Sequence, residues 1–394
     1  MAIDPATAML ARALESLAIF EGRYTNLKLV NIDLASGIRQ GVLSLVFKAT
    51  DIVDQTQVAI KFFDPARLAD SYRLQSFKRE SELLAKLPIQ DRCLRLVKPH
   101  SHYLWQVPVA TGATFPIPCP HFIVEWVPDS LEDYFLSRVN ISAIEKLTVF
   151  SQIVLAVEAL HNKDIFHRDL KPDNVRMAHR KDKKIVVAID LGTAARIDSP
   201  QSLSVYPIQV GAPGYASCEA MCGLAGNRQL APFTDFYALG CLLFEMFNND
   251  LFYSAQQGLN PSLQARYFAI SQDVASITDE PAKLHRLHVG LDRLAPGIAP
   301  VPIDSLGSSC DPATAPLLNE VVRGLTHMDY RLRTTSLSWV RNRVEIAMVV
   351  LKNEREYQRR LRNAKELRRN RAARAKSRDD RLRAWSMLGK PDAK

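Results

Sequence analysis

The sequence of 394 residues has few of the features that mark membrane or secreted proteins. No stretch approaches the roughly 18 uninterrupted apolar residues of a membrane span, so we expect no transmembrane segment. Residues 1–17 lack a basic start, a continuous apolar block and a cleavage site, which does not fit the pattern of a secretion signal. Asp4, Arg12 and Glu15 lie there among alanines and leucines, which predicts a short amphipathic helix packed on the main body.

The chain has only six cysteines, and none of them belongs to a paired CxxC motif. Cys218 and Cys222 can share one face of a helix, but two thiols without nearby histidines do not make a zinc site. We therefore expect no structural metal at the cysteines. Scattered buried thiols are typical of a reducing compartment, and we expect a cytoplasmic location.

Positive charge is scarce in the body of the chain and concentrated at its end. Residues 352–394 hold sixteen Lys and Arg against six Asp and Glu, whereas the whole chain carries a net charge of +9. The remaining residues are therefore close to neutral. Apolar residues make up 47% and charged residues 24% of the chain, which is typical of a globular protein with a sizeable core.

Strands come first along the chain. Residues 30–61 form short alternating segments rich in β-branched and aromatic residues, separated by polar turns. Residues 72–87 have apolar side chains at helical spacing, which predicts a helix that ends before Pro88. Apolar runs near Val107 and at residues 122–124 complete a small antiparallel sheet. We expect the proline-rich residues 99–120 to be a loop-heavy insertion.

Helices follow after Pro128. Apolar patterns predict helices at residues 147–160, 236–247, 315–325 and 338–361. Strands first and helices later indicate an α+β chain with two lobes joined near residues 125–129.

Three motifs carry the chemistry of the sequence. Residues 167–174 read His-Arg-Asp-Leu-Lys-Pro-Asp-Asn and lie in a loop after a predicted helix. Beyond them, the apolar strand at residues 185–189 delivers Asp190 at its end, followed by Leu-Gly. Upstream, residues 58–61 read Val-Ala-Ile-Lys. Together and in this order, the motifs resemble the signature set of the eukaryotic-like (Hanks-type) protein kinase family.

The resemblance covers roughly residues 27–345 and implies a bilobal protein-kinase-like fold. The N-lobe is then a small antiparallel β-sheet with one helix, the C-lobe is mostly helical, and a basic helical extension follows. The implied division is an N-terminal helical extension at 1–26, a kinase domain at 27–345 with lobes 27–127 and 128–345, and a basic tail at 346–394.

The resemblance implies that the chain binds ATP with Mg²⁺, or with Mn²⁺. Hard cations take carboxylate and amide oxygens, which Asp190 and Asn174 supply. Lys61 is expected to hold the α- and β-phosphates, and Glu80 in the predicted helix is expected to fix its ammonium group. The other nucleotide contacts implied by the resemblance are Gly41, Val46, Ala59, Val124, Glu125 and Val127.

The expected reaction transfers the γ-phosphate of ATP to a hydroxyl of a protein substrate. Asp169 is expected to orient the hydroxyl, and Lys171 to neutralise charge on the moving phosphoryl group. Lys171 also favours serine and threonine as acceptors. Arg168 can pair with a phosphate on the activation loop, and we expect autophosphorylation within residues 199–204.

Further segments resemble the family where no catalysis is involved. Residues 211–219 resemble the segment that closes the activation loop, and Asp235 is expected to cap the backbone of the catalytic loop. Arg333 is expected to pair with Glu219. Small-molecule phosphotransferases that share only the catalytic acids lack these segments, which favours a protein substrate.

The sequence departs from the family pattern around the nucleotide. Arg39 and Ser44 stand where glycines are expected in the phosphate-binding loop, so Gly41 alone remains of three. Ala212 replaces a threonine that bridges two catalytic-loop residues in serine/threonine-specific members.

A second departure lies beneath the expected adenine. Arg176 falls where an apolar residue is usual, so either Met177 serves there after a local slip or the nucleotide floor is unusual. These departures leave a second hypothesis beside the active kinase, a binding scaffold that keeps the fold without turnover.

The basic tail predicts an interaction with an acidic partner, nucleic acid or an anionic surface through residues 352–394. A solvated, partly frayed helix without a partner is the alternative. Tyr357 and Trp385 are the only aromatic residues in this segment, so stacking on bases has little support.

Overall fold

The computed structural model describes residues 3–38, 44–87, 92–108, 113–136, 139–180, 183–196, 211–227, 229–353 and 360–371. Within them, the chain forms an N-lobe dominated by one β-sheet and a C-lobe built mainly of helices. The lobes are joined by residues 125–128, which we call the hinge. The two-lobe α+β fold predicted from the sequence is confirmed.

The N-lobe contains a five-stranded antiparallel sheet in the order β1-β2-β3-β5-β4. Its strands are β1 (Tyr24–Leu29), β2 (Ser44–Asp51), β3 (Thr56–Phe63), β4 (Leu96–Pro108) and β5 (Thr114–Glu125). Two helices accompany the sheet, α1 (Pro5–Glu15) and α2 (Ser71–Lys86). Because β1 begins at Tyr24, it lies across the predicted boundary at residue 26.

The two faces of the sheet pack against different helices. Side chains alternate along a strand, so Ile60 and Phe62 of β3 lie on one face, in a core cluster with Leu10 of α1. Phe63 lies on the opposite face, in a second cluster with Phe77 of α2. This second face also looks towards the C-lobe, so the functional side chains of β3 are the odd-numbered ones.

The N-terminal helix α1 is tied to the sheet by polar contacts as well. Asp4 caps it by accepting from the N–H of Ala6 at 2.8 Å, and Pro5 occupies its first position. The Thr7 hydroxyl donates to the buried carboxylate of Asp64, which follows β3, at 2.6 Å. The amphipathic helix predicted near the start of the chain is therefore present and packed.

The C-lobe is built around a buried helix. Its helices are α3 (Ala143–His161), α4 (Cys218–Met221), α5 (Ala231–Phe247), α6 (Phe252–Leu259), α7 (Leu263–Ala275), α8 (Glu280–Leu294), α9 (Ala315–Leu325) and α10 (Leu337–Lys352). Fifteen of the seventeen residues of α5 are buried, which explains why its sequence is apolar on every face. Short strands complete the lobe: β6 (Asp129–Ser130), β7 (Ile165–Phe166), β8 (Val175–Arg180), β9 (Lys183–Ala188) and β10 (Ala195–Arg196).

The predicted helices are largely confirmed. α9 has the predicted bounds, and α5 begins earlier than predicted because Pro232 is accommodated in its first turn. The predicted helix at 338–361 is α10 in its first part, and residues 360–371 are also helical. Within the described residues, no helix is both long and apolar enough to cross a membrane. All six cysteines are free thiols.

The loop-heavy insertion predicted at residues 99–120 is wrong. The described residues 99–108 and 114–120 belong to β4 and β5, which pair from Leu96 with Val124 to Pro108 with Thr114. Pro116, Pro118 and Pro120 alternate along β5, so their missing N–H groups lie on one side of the strand. β3 pairs with β5 only from His121 onward. The three prolines therefore have no β3 residue opposite them that would need an N–H donor.

The position of Gly240 in α5 generates a stability prediction. A Cβ there would lie 2.4 Å from Cγ2 of Thr326 and 2.9 Å from Cβ of Leu325, at the end of α9. We expect Gly240→Ala to lower the free energy of unfolding by about 1–3 kcal/mol, because the two helices must move apart. Urea unfolding measures the change.

Gly258 in α6 is the matched control, since a Cβ there meets no atom within 4 Å. Gly258→Ala is expected to raise the free energy of unfolding by about 0.5–1 kcal/mol through helix propensity alone. Equal effects of the two substitutions would contradict the packing described at Gly240.

Candidate active site

A buried ion pair links β3 to α2. Lys61 lies on the face of β3 that α2 covers, and its Nζ is 2.8 Å from both carboxylate oxygens of Glu80. Burial alone would lower the pKa of Lys61, but the charges of Glu80 and Asp190 outweigh it and raise that pKa. The Phe122 ring lies 5.4 Å from the ammonium. Lys61 is therefore a fixed, permanently charged group at the interface of the lobes.

The loop at residues 167–174 is held from below by a buried carboxylate. Asp235 of α5 accepts from the N–H of His167 at 2.8 Å and from the N–H of Arg168 at 2.7 Å. Its Oδ2 also lies 2.8 Å from Nε2 of His161. Arg168 has a left-handed backbone (φ 65°), which turns the chain so that both amides point at one acid. The predicted cap at Asp235 is confirmed.

Asp169 emerges from this loop with three contacts. Its Oδ1 accepts from the N–H of Ala212 at 2.8 Å, and its Oδ2 accepts from Nδ2 of Asn174 at 3.1 Å. Nζ of Lys171 lies 3.5 Å from Oδ2. Burial raises the pKa of Asp169 despite the opposing charge of Lys171. Although Ala212 lacks the expected hydroxyl, its backbone amide binds the acid directly.

Asp190 lies between the two lobes. It follows β9 in a left-handed conformation (φ 60°), and its Oδ1 lies 3.5 Å from Nζ of Lys61. The positive charge of Lys61 lowers the pKa of Asp190, so this acid stays ionised. About half of its side chain (52%) is exposed, in contrast to Glu80 at 2%. Asp190 is therefore the acid of this group that is open to a ligand.

A second buried ion pair holds the segment after the activation loop. The guanidinium of Arg333 donates to both carboxylate oxygens of Glu219, at 2.6 and 3.2 Å, and both side chains are fully buried. Arg333 also donates to the carbonyl of Phe233 and stacks on Tyr237 at 5.3 Å. The predicted pairing of Arg333 with Glu219 is confirmed.

The family model described as "Protein kinase domain" matches residues 34–342. This match covers most of the chain. The chain belongs to the protein kinase family. Its Lys61–Glu80 pair, the Asp169 loop and Asp190 are thus parts of a kinase domain, and the Glu219–Arg333 pair lies in the same domain.

Several curated kinases are similar to this one. Serine/threonine-protein kinase SIK1 of Rattus norvegicus is 29% identical over 225 residues, which are 57% of this chain and 26% of that protein. PknD of Chlamydia pneumoniae is 24% identical over 63% of this chain and 27% of its own length. PrkC of Bacillus subtilis is 26% identical over 62% and 33%. The chain thus spans about a quarter to a third of these relatives.

Kinases of this family use ATP and Mg²⁺, and the residues present fit an ion. Asn174 commits its Nδ2 to the carbonyl of Asp169 at 2.8 Å, which leaves its Oδ1 as a possible ligand beside the Asp190 carboxylate. Within the described residues, no group of three His, Cys, Asp or Glu side chains could hold a metal. Phosphate oxygens and water would therefore complete the coordination.

The candidate nucleotide contacts of the kinase lie along β2, β3 and the hinge. Ala59 pairs with Val124 across β3 and β5, and Val46 pairs with Lys61 across β2 and β3. Val127 is buried in the cluster between the lobes, and its N–H has no acceptor among the described residues. Gly41 lies outside the described residues.

The hinge acid Glu125 is engaged away from the candidate nucleotide site. Its carboxylate pairs with the buried guanidinium of Arg180 at the end of β8 and accepts from the N–H of Arg95 at 2.9 Å. Arg180 also donates to the carbonyl of Cys93 at 2.9 Å. The N–H of Glu125 also donates to the carbonyl of Arg95 at 3.0 Å, so this amide is not available to a nucleotide.

The two alternatives for the nucleotide floor are decided by the register of β8. β8 pairs with β9 without a shift, and Met177 lies opposite Val186 in the C-lobe core. There is no local slip. Arg176 pairs with Val187, which belongs to the cluster between the lobes. The expected floor position is thus occupied by an arginine.

Arg168, expected to bind an activation-loop phosphate, is buried against backbone carbonyls. It donates to the carbonyl of Thr193 through Nε at 2.8 Å and through Nη2, and to the carbonyl of Ala225 at 3.2 Å. The Thr193 hydroxyl donates back to the carbonyl of His167 at 3.1 Å. Residues 199–204 lie outside the described residues.

Sequence reasoning missed several residues that support the site. His161 binds Asp235, and Arg180 binds Glu125, but a lone histidine at a helix end and an arginine in a hairpin give no pattern to detect. The Ser76 hydroxyl of α2 donates to the carbonyl of Gly192 at 2.9 Å and so ties α2 to the loop after Asp190. These contacts join residues far apart in sequence.

A buried tyrosine–glutamate pair lies below the segment that closes the activation loop. The Tyr215 hydroxyl donates to Oε2 of Glu245 at 2.6 Å, and the N–H of Phe252 donates to Oε1 at 3.3 Å. Burial raises the pKa of Glu245 to about 7, although both hydrogen bonds oppose the shift.

The raised pKa of Glu245 predicts a pH effect on stability. Between its ordinary value of 4.5 and about 7, the folded protein binds more protons at this site than the unfolded chain. The contribution of Glu245 to the free energy of unfolding therefore falls as pH rises through this window. Glu245→Gln keeps an acceptor for Tyr215 but cannot titrate. Relative to wild type, its free energy of unfolding should rise by about 1–3 kcal/mol from pH 4.5 to 7.5.

Thermal unfolding at several pH values measures this difference. Glu82→Gln, at an exposed position of α2, is the control and should follow the wild-type pH profile. A Glu245→Gln profile parallel to that of wild type would contradict the raised pKa.

Proposed function

We propose that the chain is an active ATP-dependent protein serine/threonine kinase. The observation that carries this proposal is the set of contacts joining Glu80, Lys61 and Asp190 between the lobes. A fixed ammonium beside a half-exposed aspartate suits a triphosphate with its metal ion, because phosphoryl transfer depends mainly on positioning and charge neutralisation.

In the proposed reaction, ATP supplies the phosphoryl group and Mg²⁺, or Mn²⁺, screens its charge. Lys61 holds the α- and β-phosphates, and Asn174 and Asp190 hold the metal. Asp169 orients the acceptor hydroxyl and accepts its proton as the new O–P bond forms and the bond to ADP breaks. Lys171 neutralises charge on the transferred group, consistent with its position 3.5 Å from Asp169.

A protein substrate and a hydroxyl acceptor are supported by different features. The buried Glu219–Arg333 pair and the Tyr215–Glu245 bond hold the segment beside the catalytic loop, where an extended substrate chain would lie. Lys171 favours serine and threonine. We propose a kinase domain at residues 27–345, with lobes 27–127 and 128–345, after an extension at 1–26 that contains α1 and the first residues of β1 (Tyr24–Leu29). A cytoplasmic location stays a prediction.

A binding scaffold without turnover is the second candidate function. Arg176 at the floor position favours it, as do Arg39 and Ser44 in place of glycines. Against it, Lys61 and Asp169 have the contacts that turnover requires.

Phosphoryl transfer is tested with labelled ATP and Mg²⁺ on the purified full-length chain and a generic basic protein. We expect label on serine and threonine of the added protein. Asp169→Asn should lower the rate by roughly 10²- to 10⁴-fold, because it removes the proton acceptor but little volume. Mass spectrometry of the kinase itself should find phosphate within residues 199–204.

Asp190→Asn is the control for loss of the metal ligand. Label in wild type equal to that of Asp190→Asn would favour the scaffold over the kinase. Label on the added protein with residues 199–204 unmodified would contradict autophosphorylation alone.

We also propose that the basic tail at residues 346–394 localises the kinase to an acidic partner. In its described part, residues 360–371 form an exposed helix with six Lys and Arg and one Glu. Such a helix attracts a polyanion over a Debye length of about 8–10 Å and less so at high salt.

Retention on a polyanionic resin at rising salt tests the tail. The full chain is expected to elute at clearly higher salt than a chain ending at residue 353, because the positive charges of the tail are lost. Competition by polyglutamate, single-stranded DNA and anionic vesicles separates acidic protein from nucleic acid and lipid. Elution of both chains at the same salt would contradict the proposal.

A further inference from the structure

Arg176 lies on the face of β8 that looks away from the C-lobe core and towards the N-lobe. Along β8, Val175 and Met177 point into the C-lobe core, so Arg176 and Ala178 lie on the opposite face. Ala178 and the cross-strand neighbour Val187 both belong to the apolar cluster between the lobes. This same cluster contains Ala59, Val124 and Val127.

The position of Arg176 along the cleft corresponds to the expected binding site of the base and not to that of the metal. Asn174, the candidate metal ligand, precedes it by two residues and lies immediately before β8. On its other side, Arg176 pairs with Ser130 of β6, immediately after the hinge. Arg176 therefore lies between the candidate metal ligand and the hinge, on the side of β8 that adjoins the cluster containing Ala59.

The guanidinium of Arg176 has no protein partner in the part of the chain that the structure describes. The side chain is half-buried, yet it forms no hydrogen bond or ion pair there. Arg180, four residues further along β8, differs from Arg176 because it donates to the Glu125 carboxylate and to the carbonyl of Cys93. The nitrogen atoms of Arg176 are not among the buried unpaired polar atoms of the described residues, so water reaches them. A ligand that covers the guanidinium removes this water and must interact with the charge favourably.

The chemistry of an arginine selects one kind of contact at this position. The guanidinium is planar and weakly hydrated, and it stacks on aromatic faces better than an ammonium does. Its cross-strand neighbour on β9 is the aliphatic Val187, and on β6 it is Ser130. A flat heteroaromatic base inserted below Ala59 would present its face to the guanidinium.

We propose that Arg176 forms the floor of the nucleotide site and determines its preference for the base by stacking its guanidinium on the purine. This inference rests on the proposed ATP binding and deepens it. The floor then holds the base through a cation–π contact, whereas an aliphatic residue would act through apolar burial alone. Larger π-systems should bind better, so purine nucleosides should be preferred over pyrimidine nucleosides.

Calorimetric binding to the full-length chain tests the proposal without requiring turnover. Adenosine, cytidine, ADP and Mg²⁺–ATP are titrated into wild type, Arg176→Gln and Arg176→Lys. Arg176→Gln keeps a planar group but loses the charge, and its affinity for adenosine and for Mg²⁺–ATP should fall by the same factor, roughly 3- to 30-fold. Arg176→Lys keeps the charge but loses the plane and should weaken both ligands by a smaller common factor. The preference for adenosine over cytidine should shrink in both variants.

Lys184→Gln is the matched control, because it removes one positive charge from an exposed position on β9. It should leave all four affinities unchanged, and melting temperatures verify that each variant is folded. Loss of affinity for Mg²⁺–ATP without loss for adenosine would show phosphate pairing and overturn the stacking. Unchanged affinities in folded Arg176 variants would also overturn it. Absence of nucleotide binding in wild type would instead contradict the proposed kinase activity.

Discussion

The buried contact between Lys61 and Glu80 is the interaction on which the rest of the site depends. It joins β3 to α2, and Lys61 also reaches Asp190 in the loop after β9. Removing either member of such a pair would leave an uncompensated charge in an apolar surrounding, which is strongly unfavourable. Three charges from distant parts of the sequence therefore hold the sheet, the helix and the C-lobe in one arrangement.

The carboxylate of Asp235 fixes the backbone of the catalytic loop, as the carboxylate of Glu80 fixes the ammonium group of Lys61. The amides of His167 and Arg168 are buried below the catalytic loop, and the carboxylate satisfies both of them. With these amides anchored, the loop adopts the left-handed turn at Arg168 and presents Asp169 to the cleft. The apolar helix α5 is thus a rigid base, and its buried acid Asp235 positions the catalytic loop.

The two ends of the candidate site differ in how closely they follow the family pattern. At the proposed phosphate end, Lys61 contacts Glu80 and Asp190, and Asp169 accepts from the N–H of Ala212. At the base end, the hinge acid Glu125 is held by a C-lobe arginine, and Arg176 lies where an apolar floor is usual. A kinase whose site differs from the family pattern only at the base end can keep the phosphoryl-transfer chemistry of the family while it binds the base through different contacts.

The sequence by itself determined the two-lobe fold and most helices, because their signals are local. Helical periodicity identified α9 at both ends, and the order of three short motifs singled out Lys61, Asp169 and Asp190 as the residues proposed for the phosphate end. Only the tertiary structure decided that residues 99–108 pair with residues 114–121, that Met177 points into the core and that Arg180 binds Glu125. Strand pairing and long-range ion pairs depend on which distant residues folding brings together. A single stretch of sequence does not identify those residues.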